Sequence, residues 1–309
     1  FFTPQNAVKL LVSMVNPQPE EKIIDPACGT GGFLSFASRH LLNQGDSPKN
    51  IAKNIFGIDK DHYLSELASS HLSIFTLEPA KVVCADSLAW KAMDEQNFPV
   101  KDLLGSFDIV LTNPPFGSKI VSISREDQKS FELGFRWHFD SKSRRFFKSN
   151  ELLPSVPPQV LFIERCISLV GSGGRIGMVV PESLISGKNY RYVVQYIRTH
   201  TILKAVLGMP ESLFKTSGKG GTHTKTCLII LEKRKEMDEP VTKKRTIFMA
   251  EARWCGHDSR GKAIHHDEFP KIAVKFQEFQ EGRLKENNHL GYLISQNQII
   301  DNILAPRYY

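Results

Sequence analysis

The stretch Lys22-Ile23-Ile24-Asp25-Pro26-Ala27-Cys28-Gly29-Thr30-Gly31-Gly32, followed by the apolar residues from Phe33 onward, decides the fold. Residues 22–25 read as a buried strand, the glycines as a tight turn, and residues 33–42 as a helix. Strand, glycine turn and helix in that order form a nucleotide-type crevice. The turn does not keep G-x-G-x-x-G and lacks the lysine of a P-loop, which disfavours hydride transfer and phosphate cradling. What it permits is close backbone approach to a ligand without pyrophosphate, with Asp25 placed to meet a positive group. Cys28 has no histidine or asparagine context and reads as small-residue packing rather than a nucleophile.

Working outward, further strands are predicted over residues 54–58, 81–85 and 107–112, with a helix over 63–75. They end on Asp59, Asp86 and Asn113 respectively. Strands alternating with helices predict an open, mostly parallel sheet that binds ligands at its carboxyl edge, near the point where strand order reverses. Asp59 is placed to accept from two ribose hydroxyls, and Asp86 from an adenine amino group. Any one of these acids could be a mere helix cap; three in register weaken that reading. Together with the glycine turn they describe an adenosine-containing cation, for which S-adenosylmethionine is the natural candidate.

Asn113-Pro114-Pro115-Phe116 is the chemically specific signal. An exocyclic amine on a base or an amide is a poor nucleophile because its lone pair is delocalised. Acceptors that take its N–H groups draw the nitrogen toward tetrahedral geometry. The Asn113 side-chain oxygen and the Pro114 carbonyl can each accept one N–H, while the two prolines stiffen the backbone that presents them. Phe116 can stack on a planar substrate. The plainer alternative is a Pro-Pro turn closing a strand.

The remaining chain supplies the frame. Residues 4–15 predict a leading helix, with the Thr3 hydroxyl as its cap and Pro4 in its first turn. Residues 117–157 lose periodicity and read as a long basic, aromatic loop. A helix over 159–170, a glycine turn at 171–174 and strands over 175–180, 202–208 and 226–232, with a helix over 190–199, complete a seven-stranded sheet with a closing antiparallel hairpin. Residues 215–225 read as a flexible Gly, Lys and Thr-rich loop. Beyond them a strand over 246–250 and a helix over 272–279 are predicted.

The totals bound the partners. The 309 residues carry 40 Lys and Arg against 33 Asp and Glu, a net +7, which suits a polyanion without demanding one. Five widely spaced cysteines, with no C-x-x-C, indicate neither a disulfide framework nor a zinc site, and no metal is expected. A reducing, cytoplasmic compartment fits. No stretch reaches the roughly 18 apolar residues of a membrane span. The sequence starts at Phe1 inside a pattern, so further residues are expected before it.

These motifs resemble those of the amino-methyltransferases, residues 25–32 matching their cofactor motif and Asn113 to Phe116 their catalytic motif. The similarity is closest to the modification subunit of type I restriction-modification systems, an N6-adenine DNA methyltransferase. Supporting patches are Phe2-Thr3-Pro4, Phe56-Gly57-Ile58-Asp59, Gly117-Ser118-Lys119, Leu161 to Cys166, and Gly173 through Pro181. The resemblance implies an α/β class I S-adenosylmethionine-dependent methyltransferase fold with helices on both faces of the sheet. It implies a catalytic domain over 1–235, led by a Phe-x-Pro cofactor element within 1–20, and a carboxyl-terminal extension over 236–309. It further implies that Thr3, Asp25, Ala27, Gly29, Gly31, Asp59 and Asp86 bind the cofactor. Asn113, Pro114, Pro115 and Phe116 would act on an adenine flipped out of double-stranded DNA. The family's helical amino-terminal domain and a target-recognition domain are not recognisable, so sequence choice is expected from a specificity subunit or flanking regions, with a restriction subunit as a further partner. The basic loops at 119–148 and 215–225 are candidates for DNA contact, or else solvated surface.

Two rival readings remain open. The same device could serve a protein glutamine or an RNA guanine amine; labelled methyl transfer to separate DNA, RNA and protein pools discriminates. A silent DNA-binding or assembly module would bind no S-adenosylmethionine, which calorimetry tests.

Overall fold

Neighbouring residues of the central strands serve opposite layers, as the two-residue period of a strand requires. Ile24, Val110, Met178 and Val180 pack into one core, while Ile23, Ile109, Leu111 and Val179 pack into another. The structure is a computed structural model describing residues 3–89, 100–117, 123–215, 224–235, 245–285 and 287–309. Phe2, Ser118, Lys119 and most of the predicted 215–225 loop lie outside the described residues.

In chain order the elements are α1 (Gln5–Val15), β1 (Ile23–Asp25), α2 (Gly32–Asn43), α3 (Pro48–Asn54), β2 (Ile55–Asp59), α4 (His62–Thr76), β3 (Lys81–Cys84) and β4 (Phe107–Thr112). There follow α5 (Arg125–Gln128), β5 (Phe135–Asp140), β6 (Arg145–Leu152), α6 (Pro158–Leu169), β7 (Val170–Pro181), α7 (Glu182–Ser186) and α8 (Arg191–His200). The chain continues through β8 (Thr201–Gly208), β9 (Thr226–Lys233), β10 (Thr246–Glu251), β11 (Cys255–His257), β12 (Ala263–Asp267), α9 (Phe269–Gln280) and β13 (Tyr292–Ser295).

Among the described residues one sheet has the order β13-β10-β8-β9-β7-β4-β1-β2-β3. β1, β2, β3, β4 and β7 are mutually parallel, and β9 runs antiparallel between β7 and β8, the expected closing hairpin. The expectation of seven strands is corrected to nine. β10 pairs parallel to β8, and β13 pairs antiparallel to β10. β13 escaped notice because Tyr-Leu-Ile-Ser, though apolar, is only four residues long, too short a run to fix a period. Helices cover both faces: α6 and α8 pack on the Val110 side, and α1, α2, α4 and α9 on the Ile109 side.

The leading helix forms for the reason its spacing predicts. Ala7, Val8, Leu11, Met14 and Val15 are all buried, and each large apolar side chain so removed from water contributes roughly 1.5–3 kcal/mol. Its start differs from expectation. Pro4 is the N-cap, no side chain caps the helix, and the Thr3 hydroxyl is engaged elsewhere.

The stretch read as an unstructured loop over 117–157 instead contains α5 and a β5–β6 hairpin that stands apart from the main sheet. β5 alternates apolar and polar residues over Phe135 to Asp140, but β6 does not and neither strand buries a residue, so the pair carries no core-forming pattern that marks it off from the surrounding loop. The hairpin is tied down at named points. Glu164 of α6 accepts the Glu132 and Leu133 N–H groups, each at 2.8 Å. The Gln195 amide exchanges two 2.8 Å hydrogen bonds with the Phe146 backbone, and Trp137 stacks on Tyr192.

Candidate active site

The functional candidates gather at the carboxyl edge of the sheet because parallel strands deliver their last residues to the same side. β1 ends on Asp25, β2 on Asp59 and β4 on Thr112, directly before Asn113; Asp86 lies two residues past β3. Two cavities, of about 340 and about 400 Å3, open among these tips. The first is lined by Asp59, Asp86, Pro114, Pro115 and Phe116, the second by Thr3, Asp25 and Thr30, and Ala27, Gly29 and Asn113 line both. Their sizes suit the parts of a small organic ligand.

The glycine turn is held by its neighbours. Asp25 Oδ1 accepts the Ala27 N–H at 3.0 Å, and the Ile58 carbonyl accepts the Cys28 N–H at 2.9 Å. Asp59 Oδ2 accepts the Gly29 N–H at 2.8 Å while Oδ1 accepts the Asp61 N–H at 3.0 Å. Each Asp59 oxygen therefore keeps a lone pair for a ligand hydroxyl. Asp86 Oδ1 accepts the Leu88 N–H at 2.9 Å, and the Ser87 hydroxyl donates to the Pro26 carbonyl, linking the β3 tip to the turn.

The two glycines assigned to the ligand differ. Gly29, at φ +53°, lines both cavities, and a Cβ there would meet open space. Gly31, at φ +81°, lines neither; a Cβ there would sit 3.3 Å from the Ala68 Cβ. Gly31 thus lets the turn pack on α4. Cys28 is buried against Gly57, and burial pushes its thiol well above the ordinary range. It is an inert packing group, in agreement with its context.

Asp25 is the electrostatic anomaly. At 1 % exposure its carboxyl is pushed up to about 7, chiefly by loss of water, with the Asp59 charge adding and the Ala27 N–H opposing. A buried carboxyl poised this way becomes the natural partner of a cation entering the second cavity.

Asn113 stands where the two cavities share a wall. Its Nδ2 donates to Thr3 Oγ1 at 2.9 Å, and its Oδ1, shielded from solvent, has no hydrogen-bond partner. Pro114 is buried, and the Phe116 ring meets Phe214 edge-on at 6.3 Å. Among the described residues no cluster suited to a metal ion occurs.

Sequence reasoning missed several wall residues. Lys60, Leu64, Pro158 and Phe162 line the first cavity, and His71, whose ring bonds the Thr30 carbonyl, lines the second. Phe162 lay within a recognised patch; Lys60 directly follows β2, Leu64 and His71 lie on α4 and Pro158 begins α6, positions where many residue types serve.

Strand order, an antiparallel β9 and cavities at the strand tips define a class I methyltransferase fold. The chain belongs to the N-6 DNA methylase family, whose model matches residues 1–305. It is 23% identical over 219 residues to the type I restriction enzyme EcoEI methylase subunit of Escherichia coli, covering 69% of this chain and 39% of that one. A solved type I restriction-modification assembly contains a chain that superposes with a TM-score of 0.69 at 23% identity, over 96% of this chain and 56% of that chain. The type I methyltransferase subunit of Streptococcus thermophilus gives 0.67 at 19% identity, over 98% and 57%. The chain thus spans well under two thirds of each.

Proposed function

We propose that this chain is the catalytic part of an adenine-specific DNA methyltransferase of a restriction-modification system, moving a methyl group from S-adenosylmethionine to N6 of a flipped adenine in double-stranded DNA. The observation that carries this reading is Asn113, a buried, unsatisfied acceptor on the wall between two cavities, followed by a stiff Pro-Pro step and an aromatic ring. A buried acceptor left unpaired costs about 1–3 kcal/mol. Its retention at the cavity junction fits a ligand amine as its missing partner.

The residues present fit S-adenosylmethionine. Asp59 and Asp86 would hold the ribose and the adenine amino group in the first cavity. Ala27 and Gly29 would lie along the ligand, with Asp25 and Thr3 beside its amino-acid part. When bound, the cofactor supplies an electrophilic methyl group on a cationic sulfur. Asn113 Oδ1 and the Pro114 carbonyl take the two N–H groups of the target amine, turning its lone pair toward that methyl, and Phe116 stacks on the extruded base. The N6–methyl bond would form as the sulfur–methyl bond breaks, its electron pair staying on sulfur as a neutral thioether, and N6 would release one proton to water, with no covalent bond to the protein.

Support for duplex DNA comes from the β5–β6 hairpin, which exposes Arg144, Arg145 and Lys148 beside Phe139 and Phe147. Cations neutralise phosphates, and a two-stranded ribbon fits the major groove. A separate specificity subunit, joined by a restriction subunit, remains the expected source of sequence choice. Incubation of the full-length protein and its partner subunits with methyl-labelled S-adenosylmethionine and separate DNA, RNA and protein pools tests the proposal. Label recovered as N6-methyladenine from DNA is expected; label confined to RNA or protein would overturn it.

A further inference from the structure

Thr3 stands directly before Pro4, the N-cap of α1, one residue outside the position from which a threonine hydroxyl ordinarily bonds the helix's first N–H groups. Here no side chain caps the helix. The hydroxyl instead accepts from Asn113 Nδ2 at 2.9 Å, across a separation of 110 residues. Both residues line the second cavity.

A side-chain amide torsion has two comparable settings that exchange oxygen and nitrogen. Only one of them serves a target amine. With Nδ2 turned toward the amine, two donors would face each other and no lone pair could be drawn out. A hydroxyl has one proton to donate and two lone pairs to accept with. Once its proton is committed to an acceptor in the second cavity, only lone pairs remain for Asn113, and these match Nδ2 and reject Oδ1.

We infer that Thr3 is a positioning residue for the reaction: its hydroxyl sets the Asn113 amide with the oxygen free for the target amine, and an anionic group in the second cavity reinforces that setting. The inference rests on the reading of Asn113 under Proposed function. It makes Thr3 the link between cofactor occupancy and catalytic geometry, without contact between Thr3 and the substrate.

The test compares Thr3→Val, which keeps the shape and deletes the hydroxyl, with Thr3→Ser, which keeps the hydroxyl, in the full-length protein with its partners. Thr3→Val should lower methyl transfer to DNA by about 10- to 100-fold, the scale set by small losses of alignment. The loss should persist at saturating S-adenosylmethionine, where a weakened cofactor contact no longer limits the rate, and should exceed any loss of cofactor affinity, and Thr3→Ser should restore most of the turnover. Asparagine-selective nitrogen-15 labelling reads the amide directly: the Asn113 side-chain signal should be a single sharp pair in the wild type and broadened in Thr3→Val. Equal turnover in Thr3→Val and wild type would overturn the inference. So would equal loss in Thr3→Val and Thr3→Ser, or a loss of cofactor affinity as large as the loss of turnover. Wild-type protein that fails to methylate adenine would overturn the function itself, a result separable from these because the amide signal needs no turnover.

Discussion

The Asp59 carboxylate accepts the Gly29 N–H at 2.8 Å, so the residue that closes β2 also shapes the turn that closes β1. One carboxylate thereby serves the fold and, in the proposed function, the ribose. Asp59→Ala should lose on both counts: about 1–3 kcal/mol of stability, chiefly for the orphaned Gly29 N–H since the Asp61 N–H can turn to water, and more than tenfold in S-adenosylmethionine affinity. Asp59→Asn, which can keep one accepting oxygen, should retain most of the stability. Thermal melts and calorimetry on the same preparations separate the effects.

Asp25 predicts a pH dependence with a defined sign. Its folded-state value of about 7 lies above the ordinary 3.8, so the native state holds a proton that the unfolded chain has released. Stability of the ligand-free protein should therefore fall as pH rises from about 4 to about 7, and level off above. A cationic ligand favours the carboxylate and must displace that proton. Affinity for S-adenosylmethionine should weaken about tenfold per pH unit below 7 and plateau above it. Asp25→Asn should flatten both profiles, as calorimetry across buffers of different ionisation heat would show.

The two turn glycines should answer differently to the same methyl group. Gly31→Ala places a Cβ 3.3 Å from that of Ala68 at φ +81°, and should destabilise the fold; the left-handed backbone alone costs roughly 1–2 kcal/mol. Gly29→Ala meets no protein atom but lines both cavities. At φ +53° it carries the same left-handed backbone cost but no clash, so it should melt less early than Gly31→Ala while losing most of its cofactor affinity.

Much of this arrangement can be read in the chain itself. Ile23-Ile24, residues 107–112 and the glycine turn announce themselves because buried parallel strands are continuous apolar runs and tight turns need glycine. The β5–β6 hairpin does not, since only Phe135 to Asp140 alternate, while Arg145 to Leu152 carry no period and neither strand contributes a buried residue to the core. The Thr3 to Asn113 bond is equally hidden: it depends on how α1 docks on the sheet, and no local pattern carries that. Gly31 shows the converse limit, where the residue type is legible but the choice between ligand contact and helix packing is not.

The hairpin supplies a salt-dependence prediction. Arg145 and Lys148 are exposed on β6. Arg145→Ala with Lys148→Ala should weaken binding to any duplex and reduce the slope of log affinity against log salt by about one per lost phosphate contact. Cofactor affinity should not change. An unchanged slope in fluorescence anisotropy titrations would remove the hairpin from the DNA-binding surface.

The central claim is that Asn113 supplies the acceptor that makes an exocyclic amine reactive. The direct measurement is single-turnover transfer of labelled methyl groups to unmethylated adenine-containing DNA by Asn113→Ala, paired with calorimetry of S-adenosylmethionine binding. The account predicts near-wild-type cofactor affinity and transfer reduced by at least about a hundredfold, the scale of a misplaced reacting group. Near-normal transfer by Asn113→Ala would contradict it.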